Sequence, residues 1–196
     1  MLYEPGTGYF LLEEHISRCI ESARYFDFDI KEETLRYYLA EISSSFGSKP
    51  IKIRITIDKN GNFRHTVSEI TTQPAVITVN LSTIAVNSSD TFLYHKTTNR
   101  EIYDKALKKA SKCSDVILWN ENNELTEMTT GNLVLEMDGK LLTPRSECGL
   151  LCGTFRSHLV KNGTIIETII TKDDLLKCTR IFRINSVRKW QQCELL

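Results

Sequence analysis

The chain lacks an excess of either charge. Lys+Arg and Asp+Glu each number 25 in 196 residues, so the formal net charge is zero. Proteins that hold polyanions without sequence preference carry a basic surplus, so no nucleic-acid partner is expected. No run of apolar residues approaches 18, which argues against a membrane-spanning helix. The opening string MLYEPGTGYF lacks the basic-then-apolar layout of a signal peptide, and the expectation is a soluble, cytoplasmic protein without a membrane partner. Cysteine is present but unorganised. Cys19, Cys113, Cys148, Cys152, Cys178 and Cys193 form no C-x-x-C and no Cys/His pair at zinc spacing. Reduced, buried thiols are therefore expected, and no metal. Internal repeats and low-complexity stretches are also missing. At 41% apolar and 26% charged residues, the composition is that of an ordinary globular protein rather than a disordered chain or a coiled coil. At this length folding buries ~70% of the surface, enough for a substantial core.

What is present is a change of period along the chain. Residues 11–28 repeat apolar side chains at helical spacing (Leu12, Ile16, Cys19, Ala23, Phe26), with Glu13 and Glu14 placed in the first turn. A second helix is predicted over 32–46, ending in the breaker string 43–50. Then Ile51, Ile53, Ile55 and Ile57 alternate with Lys52, Arg54, Thr56 and Asp58, the signature of a half-buried strand. The DKNG string at 58–61 carries the Asn-Gly hairpin signal, and strands over 63–70 and 75–81 extend the same antiparallel sheet. Beyond this lie a helix over 100–112, strands over 116–119 and 133–137, a helix over 154–161, a strand over 165–171, a short helix from Asp173, and strands over 181–185 and 190–195. The pattern predicts a small domain over 1–82, a linker over 83–95 and a second domain over 96–196. Helices and strands are interspersed without a βαβαβ rhythm, which favours a mixed α/β, α+β-like fold over a doubly wound one.

Three segments could carry chemistry. FLYHKTTNREIYD places Lys96 and His95 among polar and aromatic residues; alone, this is a solvated lysine beside a structural histidine. LTEMTTGNL sets Glu127 ahead of Thr129, Thr130, Gly131 and Asn132. Such a loop can aim N–H and hydroxyl groups at an anion, although alone it reads as an ordinary turn. GLLCGTFR puts Gly153-Thr154 just before a helix, whose first turn offers N–H groups and the positive dipole end. Many helices begin this way and bind nothing.

Their order and separation, together with LLEEHISRCIESARYF, TPRSECGLLCGTFR and FRINSVRKW, resemble the class IV aminotransferases, the fold-type-IV pyridoxal-phosphate enzymes. HKTTNR-x-x-YD and NSVR look most like the 4-amino-4-deoxychorismate lyase branch. The resemblance implies two small α/β domains of the D-amino-acid/branched-chain aminotransferase type. Family members begin earlier with a first strand, so an N-terminal strand is expected to be missing. Residue by residue, Lys96 matches the Schiff-base lysine and general base, and Glu127 the carboxylate facing the pyridine nitrogen. Arg18 matches the arginine on the cofactor phosphate. Thr130, Gly153, Thr154 and Ser186 fall where the family contacts phosphate and ring. Arg188, Tyr94 and His95 fall near the substrate, and Arg100 beside the lysine loop. The implied reaction turns 4-amino-4-deoxychorismate into 4-aminobenzoate and pyruvate for folate synthesis. The alternatives are a transaminase acting on a branched-chain or D-amino acid, and a non-catalytic member that binds cofactor or a partner. A homodimer is implied, with aminodeoxychorismate synthase as a further candidate partner.

The chemistry agrees with those roles. A carboxylate ~4 Å from the ring nitrogen, at an effective dielectric near 20, favours the protonated ring by about 4 kcal/mol. Four positions depart from the usual pattern: Met128 and Lys189 where glycine is common, and Arg145 and Cys152 where the phosphate turn usually carries proline. None removes a charged or reacting group.

Overall fold

The computed structural model describes residues 1–110 and 112–196 and divides into two compact units, Met1–Thr72 and Gln73–Leu196. In the first, strands β1 (Leu2–Glu4) and β2 (Gly8–Tyr9) precede helices α1 (Leu12–Tyr25) and α2 (Glu32–Ser43) and strands β3 (Ile51–Ile57) and β4 (Phe63–Glu69). The sheet runs β2-β1-β3-β4, antiparallel throughout. The alternation read at 51–57 buries Ile51 and Ile53 against Ile16 of α1 and Leu35, Leu39 and Ile42 of α2. Each such side chain contributes roughly 1.5–3 kcal/mol. β1 lies inside the sheet, so β3 is paired on both sides; the Ile53 N–H donates to the Met1 carbonyl at 2.9 Å.

The second unit is built around one large sheet. In chain order it contains β5 (Val76–Leu81), a 3-10 turn (Thr91–Leu93), α3 (Glu101–Lys109), β6 (Asp115–Trp119), β7 (Leu125–Met128), β8 (Gly131–Met137) and β9 (Lys140–Pro144). It continues with α4 (Thr154–Lys161), β10 (Ile166–Thr168), β11 (Arg180–Asn185) and β12 (Lys189–Leu195). The order β10-β9-β8-β11-β12-β5-β6-β7 turns back on itself because β7 also pairs with β8. Six strands, β8-β11-β12-β5-β6-β7, thereby form a closed ring. Closure removes the unpaired edges that an open sheet would present.

Here the structure corrects the sequence reading. Strand 76–81 does not extend the first sheet. β5 runs parallel to β12 and to β6, so the first unit ends at Thr72 rather than 82, and part of the expected linker bridges to the ring (Val86 with Asn120). Periodicity identifies a strand but not its partners, and these lie far along the chain. β7 falls in the segment read as a loop, and β9 lies in a stretch to which the sequence assigns no element. β7 has only four residues, all buried, too few to display a period. The helix predicted over 100–112 spans Glu101–Lys109; Ser111 lies outside the described residues.

β6 explains how the site is held. Its run DVILW is buried on both faces. Ile117 packs with Val79, Leu133 and Leu135 of the ring, while Val116 and Leu118 pack under Tyr103 and Ala106 of α3 and Leu93 of the 3-10 turn. A strand covered on both sides reads as a continuous apolar run, as this one does. No helix among the described residues is long and apolar enough to cross a membrane.

Candidate functional site

Glu127 lies on β7 and is 4% exposed. Its two oxygens are treated differently. Oε1 accepts from the Tyr103 hydroxyl at 2.8 Å and from the Leu151 N–H at 3.2 Å. Among the described residues Oε2 accepts only a long contact, 3.4 Å, from the Asn132 amide. Asn132 stands opposite Glu127 across the β7–β8 hairpin, and its amide also donates to the Leu151 carbonyl at 2.7 Å. None of the ion pairs among the described residues involves Glu127. Burial pushes its carboxyl up to about 7, against the pull of the Tyr103 and Leu151 hydrogen bonds and the charges of Lys96 and Arg100.

Lys96 sits between the 3-10 turn and α3, exposed, with its charge felt at Glu127. The root of its loop is fixed. Asp90 caps the 3-10 turn by accepting from the Phe92 N–H at 2.9 Å, and Leu93 is buried. The Tyr94 hydroxyl donates to the carbonyl of Ser88 at 2.7 Å and to that of Glu147 at 3.3 Å. Gly149 has φ +95°, and a Cβ there would lie 3.1 Å from Leu93 Cδ1 and from Ser88 Cα. The lysine loop thus packs on the segment that continues to Leu151, so Lys96 and Glu127 share one support. Arg100, at the start of α3, donates to the Thr129 carbonyl at 2.6 Å and lies 4.8 Å above the Tyr103 ring.

Gly153 is the N-cap of α4 and, having no side chain, supplies no side-chain cap. A Cβ at Gly153 would lie 2.1 Å from Asn132 Oδ1. Glycine is required here because the helix start approaches Asn132, which touches Glu127. Thr154 follows, 4% exposed. Arg156, in the same turn, is buried and donates to the Pro144 carbonyl and to Glu167.

The turn after Glu127 behaves differently from its sequence reading. Thr129 donates its N–H and hydroxyl to the buried Asp115, and the Thr130 hydroxyl donates to Asp115 as well. Arg183 completes this group, 2.6 Å from Asp115 and 2.8 Å from the Thr130 oxygen. The loop does hold an anion, but it is the chain's own aspartate. The single hydroxyl proton of Thr130 is committed to it. Asn185 links the Thr130 carbonyl (3.2 Å) to the loop of Ser186 and Arg188, accepting from the Val187 and Arg188 N–H groups at 3.0 and 2.8 Å.

Lys96, Glu127, Thr130, Gly153, Thr154, Ser186 and Arg188 all belong to the second unit. Glu127, Asn132 and Gly153 are directly joined, with Lys96 in electrostatic reach. Tyr94 spends its hydroxyl on backbone carbonyls, and His95 beside it is half-buried. Arg18 lies on α1 in the first unit, half-buried. Sequence reasoning missed Tyr103, Asn132 and the Leu151 N–H. Tyr103 looks like a core residue of an amphipathic helix, and nothing local announces an acid 24 residues on.

The whole chain, residues 1–196, matches the family described as amino-transferase class IV. A Schizosaccharomyces pombe protein provisionally named an aminodeoxychorismate lyase is 37% identical over 102 residues, covering 48% of this chain and 44% of that protein. The chain therefore matches less than half the length of that curated relative. A Mesorhizobium loti structure, provisionally named an amino-acid aminotransferase, superposes with a TM-score of 0.93 at 28% identity over 100% of this chain and 97% of that one. The Pseudomonas aeruginosa 4-amino-4-deoxychorismate lyase shares the fold, with a TM-score of 0.79 at 18% identity over 100% of this chain and 82% of that one. With a match that runs from the first residue to the last, this chain belongs to the class IV aminotransferase family.

Proposed function

We propose that this chain is a pyridoxal-phosphate enzyme of the lyase branch, converting 4-amino-4-deoxychorismate to 4-aminobenzoate and pyruvate. The observation that carries the reading is Glu127, a buried carboxylate that has neutral donors on one oxygen and is in no ion pair among the described residues. An uncompensated buried charge is costly, and a protonated ring nitrogen is the partner that would offset it. The start of α4 at Gly153-Thr154 suits a phosphate by the positive end of its dipole. The residues present fit the cofactor.

When bound, pyridoxal phosphate supplies an electron sink and a covalent anchor. The chain supplies the rest. Lys96 would provide the amine that holds the cofactor and a base for the proton on the amine-bearing ring carbon. Glu127, 4% exposed, would favour the protonated ring nitrogen in a place where screening by water is weak. Arg188, on the hairpin loop that Asn185 ties to Thr130, is our candidate for a substrate carboxylate. Loss of pyruvate leaves an aromatic ring, so positioning is the main demand on the protein. The support for the lyase branch is the Schizosaccharomyces pombe likeness and the HKTTNR-x-x-YD string.

The test is direct. Purified protein with added pyridoxal phosphate should show a visible absorbance that Lys96→Ala abolishes, and should release pyruvate from enzymatically made aminodeoxychorismate. A second reading, transamination of a small amino acid, draws on the Mesorhizobium loti likeness. It predicts turnover only with a keto-acid acceptor and no pyruvate from aminodeoxychorismate. An absorbance that survives Lys96→Ala would sink both.

A further inference from the structure

We propose that Tyr103 is a positioning residue that docks one oxygen of Glu127 and so presents the other, Oε2, to the cofactor ring. The inference rests on the cofactor reading above. Its basis is the asymmetry of the carboxylate. Oε1 takes two donors at ordinary distances, the Tyr103 hydroxyl at 2.8 Å and the Leu151 N–H at 3.2 Å. Oε2 has one donor at 3.4 Å, beyond the usual range, so its acceptor capacity is largely unspent. A carboxylate in water has no such preference between its oxygens.

Tyr103 is fitted for this task by its place in the core. The ring lies on α3, buried among Val86, Leu93 and Val116, which leaves the hydroxyl little freedom. The Arg100 guanidinium lies 4.8 Å above the ring and is itself pinned to the Thr129 carbonyl, one turn of chain beyond Glu127. Burial and the neighbouring Glu127 charge drive the phenol well above its usual range, so it stays a donor at every working pH. The groups facing Glu127 are then Tyr103 and Arg100 from α3, Lys96 from its loop, Asn132 from β8, and the Leu151 N–H. The Cys152 thiol, also close, is raised by burial and by the Glu127 charge. Among the described residues only Tyr103 and Leu151 meet Oε1, and only Tyr103 does so with a side chain that substitution can remove.

Tyr103→Phe deletes the hydroxyl and keeps the ring in the core. The readout is the Glu127 titration in cofactor-free protein, followed by carboxyl-carbon NMR and assigned with Glu127→Gln. Loss of a hydrogen bond to the charged form should raise the midpoint by about one to two pH units, a ten- to hundredfold change in ionisation constant. 3-Fluorotyrosine at position 103, a stronger donor of nearly the same shape, should move it the other way. In holoprotein the pH profile of the visible band should shift with Tyr103→Phe in the same sense. An unchanged Glu127 midpoint in both variants overturns the role of Tyr103. The cofactor reading is judged separately, by the Lys96-dependent band of the wild type. If the Phe variant does not fold, the fluorotyrosine protein alone decides.

Discussion

Two buried carboxylates on neighbouring strands of one ring meet opposite treatment. Asp115, on β6, is 0% exposed and pairs with Arg183 at 2.6 Å. It also accepts from the Thr129 and Val116 N–H groups and from the Thr129 and Thr130 hydroxyls. Arg183 reaches on to Gln191, whose amide donates to Gln73. Glu127, on β7, has comparable burial, no cation at ion-pair distance among the described residues, and one oxygen nearly unspent. The first is internally complete and therefore structural. The second is incomplete among the described residues, which is the feature that the proposed cofactor role rests on. Both acids stand beside the same turn: Thr129 and Thr130 close one site and lead out of the other.

The sharpest way to break this contrast is Arg183→Met. Asp115 would be left buried without its cation, and stability should fall by about 3–5 kcal/mol, read from urea denaturation. A loss below 1 kcal/mol would mean that the pair is dispensable and the contrast false. Lys96→Ala should do the reverse. The exposed side chain should cost less than ~0.5 kcal/mol of stability, while turnover falls about a thousandfold or more with the visible band. The pH dependence tests Glu127 directly. The folded value of Glu127, about 7, lies above the unfolded 4.5, so its contribution is complete below the unfolded value and is lost as pH rises through the folded one. Cofactor-free wild type should thus lose up to about 3 kcal/mol between about pH 5 and about pH 8, and Glu127→Gln should flatten that slope. The smallest effect lies outside both acids. Lys189 adopts φ +57° at the end of the β11–β12 loop, a left-handed conformation that glycine takes without strain. Lys189→Gly should raise stability by ~0.5–1 kcal/mol in thermal melts, which also gives a physical reason for the family's usual glycine there.

How much was readable follows from where the determinants sit. The first unit is largely local. α1, α2 and β3 emerge from amphipathic periods because one face of each is wet, and the wet faces carry the surface pairs Arg36–Glu13 and Arg36–Glu32. Lys96 and Glu127 were legible as candidates through ordered strings. Thr130 was legible as an anion-holding turn, yet the anion proved to be Asp115, which sits 15 residues earlier and carries no motif. Tyr94 was legible as a neighbour of the lysine, but the structure uses its hydroxyl to fasten the loop.

From composition and order of residues alone come the family, the periods of the main helices and strands, and the residue types a pyridoxal-phosphate site needs. Tertiary structure alone decided that β5 joins the second sheet, that the ring closes between β7 and β8, and that one acid is neutralised while the other waits. The reason is physical. Side-chain type and period are local properties, whereas pairing partners, burial and the charge an acid carries depend on groups brought together from distant parts of the chain.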